Sequence, residues 1–223
     1  MRPAKLIFLA SMLVSAPALA ADDLQGNGAG SPYEWSGFYV GIQAGGNLNS
    51  SNWTAVGGPP FDVDGESFLI GGQAGYLSQL DNNWVLGVEA ELSGTFLSAT
   101  DQCSTSVGTV CRTRQDWVAA FRGRIGYAFD RLQVYGTAGV ALTDYRHDQT
   151  VAAPGQSWDD GSTRFGWTAG LGAEYALTNT WSAGLEWKHY DFGSKTGTGG
   201  TGPVNVDFKE TSDHFVAKLN YRF

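Results

Sequence analysis

Trp84-Val85-Leu86-Gly87-Val88-Glu89-Ala90-Glu91-Leu92-Ser93-Gly94-Thr95-Phe96 alternates from end to end. Trp84, Leu86, Val88, Ala90, Leu92 and Phe96 fall on one side, and Val85, Glu89, Glu91, Ser93 and Thr95 on the other. Residues two apart share a face only in extended chain, so the run predicts an amphipathic β-strand. The next run repeats the pattern, with Trp117, Ala119, Phe121, Gly123, Ile125, Tyr127 and Phe129 opposed to Val118, Ala120, Arg122, Arg124 and Ala128. A third sets Trp167, Ala169, Leu171, Ala173, Tyr175 and Leu177 against Thr168, Gly170, Gly172 and Glu174. Helical spacing is hard to find anywhere.

Eight such runs are expected, at 36–46, 67–79, 84–97, 116–129, 132–144, 163–177, 181–192 and 213–223. Asp81-Asn82-Asn83, Asp130-Arg131 and Thr178-Asn179-Thr180 join successive runs as tight turns, since Asp and Asn tolerate turn geometry. The connections at 47–66, 98–115, 145–162 and 193–212 are long and rich in Gly, Ser, Thr and Asp, and read as loops. Short turns on one rim and long loops on the other predict an up-and-down antiparallel meander.

The first twenty residues are of another kind. Arg2 and Lys5 precede the apolar run Leu6–Val14, and Ala18-Leu19-Ala20 supplies a small-x-small site. This is the plan of a secretory signal peptide over 1–20, cleaved after Ala20; the apolar run is shorter than the ~20 residues of a spanning helix. A flexible leader over 21–35 and one domain over 36–223 would follow. Without Arg2 and Lys5 the chain keeps 12 basic against 22 acidic residues, a net charge of −10, which argues against a nucleic-acid partner. Export makes a disulfide between Cys103 and Cys111 plausible, a local staple within a polar stretch.

Two all-β architectures fit alternating strands: a soluble sandwich or lipocalin-like barrel with its apolar face inward, and a membrane barrel with that face outward. The large rings discriminate. Trp84 and Phe96, Trp117 with Tyr127 and Phe129, and Trp167 with Tyr175 stand at the ends of runs, with aliphatic and small residues between them, and Trp181 opens the seventh run. That is the placement of the two aromatic girdles of an outer-membrane barrel, and a soluble core gives no reason for it. The other face carries Glu89, Glu91, Arg122, Arg124, Glu174, Glu186, Lys188, Lys218 and Arg222. Four acids and five bases nearly cancel, as a buried ionic interior requires. The expectation is an eight-stranded antiparallel transmembrane β-barrel, just wide enough to be filled by its own side chains.

The chain ends Phe215-Val216-Ala217-Lys218-Leu219-Asn220-Tyr221-Arg222-Phe223, with Phe215, Leu219, Tyr221 and Phe223 at alternate positions. This looks like the C-terminal signal read by the barrel assembly machinery. With Trp35-Ser36-Gly37-Phe38-Tyr39-Val40-Gly41 and Gly71-Gly72-Gln73-Ala74-Gly75-Tyr76, the chain resembles the small outer-membrane β-barrel proteins of alphaproteobacteria, the Omp25/RopB type, often called the porin family. The resemblance implies a role in envelope integrity at the cell outer membrane and association with lipopolysaccharide; in some members it implies host contact or haemin binding. A narrow channel for small solutes and a surface adhesin are the alternatives, and a lipid A-modifying enzyme comes last.

No catalytic, cofactor or metal site is assigned. Gly197-Thr198-Gly199-Gly200-Thr201-Gly202 fits a G-x-G-x-x-G string but lacks the strand and helix of a dinucleotide site. His147, His189 and His214 fall near the long-loop rim. An acyl-transfer reading would combine one of them with Ser194 or Ser212 and with Asp191 or Asp213. Trp53, Phe61 and Trp158, amid Asp62, Asp64, Glu66, Asp159 and Asp160, are the candidate surface for lipopolysaccharide or an external ligand.

Overall fold

The structure, a computed structural model, describes residues 33–55, 61–102, 109–151, 157–199 and 204–223. The expected signal peptide, most of the leader, and Cys103 lie outside them. Eight strands follow one another: β1 (Gly37–Ala55), β2 (Phe61–Gln79), β3 (Trp84–Gln102), β4 (Thr109–Phe129), β5 (Leu132–Val151), β6 (Ser157–Ala176), β7 (Trp181–Gly199) and β8 (Val204–Arg222). Each pairs antiparallel with the next, and β8 returns to β1 from Tyr39↔Arg222 to Ala55↔Val206, closing the barrel. Closure is what lets a sheet enter hydrocarbon, because no edge N–H or C=O is left to be solvated.

The short turns are built on the residues that the sequence offered for them. Asn83 and Asp130 take φ values of 65° and 55°, a region Asn and Asp enter more readily than other side chains. At the third turn the Thr178 hydroxyl accepts from the amides of Thr180 (3.2 Å) and Trp181 (2.9 Å).

The four long connections correct the sequence reading. Stretches 47–66, 98–115, 145–162 and 193–212, expected as loops, are largely strand: pairing continues to Trp53↔Phe61, Gln102↔Val110, Thr150↔Ser157 and Gly199↔Val204. The physical reason is solvent. Alternation marks a strand only while the outer face meets hydrocarbon; beyond the bilayer that face meets water, its residues turn polar like those inside, and the pattern fades while the backbone ladder persists. Nineteen residues at ~3.3 Å each, tilted by ~40°, rise about 48 Å against an apolar band of about 25 Å. About half of each strand therefore projects beyond the membrane. The ladder slips between Gly94 and Leu97, between Gln115 and Val118, and between Asp191 and Ser194, where Gly193 takes φ 68°.

Sidedness follows strand parity. Leu171 and Leu185 on the outer wall are 64 % and 69 % exposed, as are many other large apolar side chains, whereas Arg122 and Lys188 inside are fully buried. Trp84, Phe96, Phe129, Trp167, Tyr175 and Trp181 lie exposed on the outer wall, with Tyr127 and Trp117 partly covered. At the short-turn rim the rings touch: Trp84 meets Tyr127 (centroids 5.9 Å), Tyr127 meets Phe129 (4.9 Å), and Tyr221 meets Trp181 (5.1 Å) and Phe223 (5.3 Å). Phe215, Leu219 and Phe223, expected to form a C-terminal assembly signal, are exposed on the same wall.

Candidate functional site: the filled interior

Inward positions of successive strands hold large polar side chains opposite glycine. Arg122 pairs with Gly139, Tyr135 with both Gly126 and Gly172, Glu186 with Gly172, Lys188 with Gly170, and Lys218 and Glu174 with Gly184. In a narrow barrel a glycine opposite a large side chain leaves it the room to cross the lumen. A Cβ built on Gly172 would sit 2.6 Å from the Tyr135 hydroxyl, and one on Gly170 would sit 2.8 Å from the Thr137 hydroxyl. The high glycine content, 31 of 223 residues, is in part this spacing device.

Arg122 stands at the centre of the ionic cluster. Its guanidinium is bonded to Glu89, its direct cross-strand partner, and to Glu91 (2.9 Å) and Glu186 (2.7 Å). Lys218 bridges Glu89 (2.8 Å) and Glu186 (3.0 Å) from the far wall, and Lys188 donates to Glu91 (2.8 Å) and to the side-chain oxygen of Gln43 (2.9 Å). Arg124 turns instead to Glu174 (2.6 Å) and Gln133, with its guanidinium 3.5 Å from the Tyr135 ring centroid. Four carboxylates and four cations thus neutralise one another. Burying ions costs several kcal/mol each unless partners and further hydrogen bonds compensate. The Tyr39 hydroxyl donates to Glu89 (2.6 Å), that of Tyr190 donates to Glu91, and Ser182 (2.5 Å) and Asn220 (2.9 Å) donate to Glu174.

Above this cluster a neutral layer continues the packing. Gln43 donates to Ser93 (2.8 Å), Ser212 to Asn47 (2.5 Å), Asn47 to Gln115 (3.3 Å) and Gln115 to Thr143 (3.0 Å). Higher still, Arg164 stands 3.9 Å from Glu210, a pair that the loop-like composition of 193–212 conceals in the sequence. Tyr39, Gln43, Tyr135 and Tyr190 were also missed. Their signal in the sequence is parity with the charged positions. Arg222 lies apart from the cluster, at the short-turn end, where it donates to the Tyr33 hydroxyl (2.8 Å) and the Glu34 carbonyl (3.2 Å).

The histidines are corrected by the same parity. His214 is no rim residue: it is buried inside, its Nε2 3.0 Å from the Ser212 hydroxyl. His189 faces the outer wall, with Nδ1 3.0 Å from Asp213, which also accepts from the Trp187 indole (3.1 Å). Ser212 and His214 are thus separated from His189 and Asp213 by the barrel wall, and those residues assemble no Ser-His-Asp set. Of His147, Trp53, Phe61, Trp158, Asp62, Asp64, Asp159 and Asp160 only the backbone is described; Glu66 is exposed. Cys111 stands in β4 opposite Asp101.

A closed antiparallel barrel, apolar outside and ionic within, is a protein of the bacterial outer membrane. The profile of the outer membrane protein beta-barrel domain matches residues 6–223, and the chain belongs to that family. It is similar to the 31 kDa outer-membrane immunogenic protein of Brucella melitensis, 33 % identical over 211 residues that cover 86 % of this chain and 85 % of the relative. It is also similar to the 22 kDa outer membrane protein of Rhizobium leguminosarum, 31 % identical over 185 residues covering 80 % and 74 %. Among solved structures it shares the fold of the outer membrane protein OprG from Pseudomonas aeruginosa, with a TM-score of 0.54, 15 % identity, and coverage of 86 % of this chain and 98 % of that one.

Proposed function

We propose that this barrel is a non-enzymatic, non-conducting structural element of the outer membrane whose projecting hairpins contact lipopolysaccharide. The filled interior carries the reading. Arg122, Lys188, Lys218, Glu89 and Glu186 close on one another in mid-barrel with side chains out of reach of solvent, so a hydrated ion meets paired charge where a porin would offer water. Planar-bilayer recording tests it: the purified protein is expected to give no stable single-channel current. A steady current from the unaltered protein, enlarged by Glu89→Ala, would establish the narrow-channel reading instead.

Length supports the contact role. The paired hairpins β1–β2, β3–β4, β5–β6 and β7–β8 continue well past the membrane band and form a stiff platform on one side of it. The Brucella relative is named an immunogenic protein, which fits a surface of this kind. Shortening β1–β2 by removing residues 50–64 is expected to leave insertion and heat-modifiable migration intact. The same variant should bind less lipopolysaccharide in vesicle flotation; equal binding would remove that hairpin from the contact surface.

A further inference from the structure

Seven of the eight strand pairs are joined by a chain connection, while the pair that closes the barrel, β1 with β8, joins the first strand to the last and has none. At the short-turn rim this seam ends in one backbone bond, Phe223 N to Phe38 O (3.0 Å), while Arg222 N on the other side of β8 donates to Thr180 O in the β6–β7 turn (2.7 Å). The residues just before β1 lie across that rim. Trp35 is fully buried among Tyr39, Leu77, Val85, Ala128 and Ala176, an apolar floor beneath the ionic cluster, and Tyr33 packs against it edge to face at 5.1 Å.

The segment is bonded to four elements of that rim. Tyr33 N and Trp35 Nε1 donate to the side chain (2.8 Å) and carbonyl (2.9 Å) of Asp130 in the β4–β5 turn. Trp35 N donates to the Gln79 side chain at the end of β2 (2.7 Å), and Gln79 N donates back to Ser36 Oγ (3.0 Å). The Tyr33 hydroxyl donates to Asn179 O in the β6–β7 turn (3.4 Å) and accepts from Arg222 (2.8 Å). The Arg222 guanidinium also lies 4.7 Å from the Trp35 ring centroid. Gly37 makes the approach possible: its φ of +136° strains any other residue, and an added Cβ would meet the Phe223 carbonyl at 3.2 Å and Arg222 Cγ at 3.5 Å.

We propose that Tyr33–Gly37 is a latch, which locks the β1–β8 seam by clasping Arg222 and seals the short-turn mouth of the barrel with Trp35. It does for the seam what a hairpin turn does for the other strand pairs. It also keeps water from the ionic cluster above, whose ion pairs weaken when hydrated. The segment that composition assigned to a flexible leader thus ends in a built part of the barrel.

Amide hydrogen exchange of the full mature chain, folded in phospholipid bilayers and read by mass spectrometry, tests the latch. Tyr33→Ala and Gly37→Ala both loosen it while keeping the Trp35 ring, and Trp35→Ala removes the seal. All three are expected to speed exchange about tenfold in peptides covering 38–44 and 216–223, as the loss of one charge-assisted hydrogen bond would, while peptides covering 119–126 stay protected. Trp35→Phe should restore part of the protection lost in Trp35→Ala. Unchanged seam exchange in Tyr33→Ala and Gly37→Ala would overturn the proposal. So would a uniform rise over all strands in those two variants, the mark of ordinary core filling; neither reading depends on whether Trp35→Ala folds.

Discussion

Arg122→Met is expected to destabilise the barrel by about 3–5 kcal/mol, the loss that follows when one partner of a buried ionic cluster is removed. The side chain fits and its volume is similar; what changes is charge. Arg122 serves Glu89, Glu91 and Glu186 at once, and without it the ionic cluster holds four carboxylates against Arg124, Lys188 and Lys218. Lys218 still bridges two of them, but Glu91 keeps only Lys188 as a cationic partner. The measurement is the urea midpoint of the folded, fast-migrating band in bilayers. Arg122→Lys should fall between, keeping the charge and losing the forked geometry that reaches three acceptors. Adding Glu186→Gln to Arg122→Met restores neutrality and should recover a sizeable part of the loss. If the single and double variants are equally unstable, charge balance is not what organises the interior.

The sequence showed strand number, turn positions and sidedness clearly because all three are consequences of one constraint, a wall with lipid on one side. Leu86, Val88 and Leu92 can alternate with Glu89 and Glu91 only if the two faces meet different media. Where that difference ends, legibility ends too. Asn49 lies in regular strand and Gln115 beside the slip in β4, yet polar neighbours on both sides hide them, and with them the Arg164–Glu210 pair. Contacts across the lumen were hidden for another reason. Cross-strand register pairs Glu89 with Arg122, but Arg122 to Glu186 and Lys218 to Glu89 span the barrel, and alternation along a strand says nothing about what faces it across a cylinder. The packing of Trp35 is hidden because the glycine-rich stretch before the first strand has the composition of a tether, while Tyr33 and Trp35 at its end pack across the short-turn rim.

The orientation of the wall is the premise beneath all of this, and Leu171→Arg puts it to the severest test. Leu171 lies on the outer wall of β6, four residues from Trp167 and four from Tyr175, and so midway between the two girdles. A guanidinium there must enter hydrocarbon, at a cost of about 2–4 kcal/mol near the midplane, falling to about 0–1 kcal/mol at the interface. Leu177, just past Tyr175 and also exposed, is the matched control, because Leu177→Arg places the same charge at headgroup depth. The quantity that matters is the difference between the two variants in equilibrium unfolding from bilayers, expected at about 2 kcal/mol or more. It should shrink in thinner membranes, where Leu171 lies nearer to water. A wall facing water would give two equal and negligible effects, because an arginine replacing an exposed leucine in solvent changes little. Equal effects of the two substitutions in bilayers would therefore count against membrane embedding itself, and a depth-dependent cost would fix Leu171 at the centre of the apolar band.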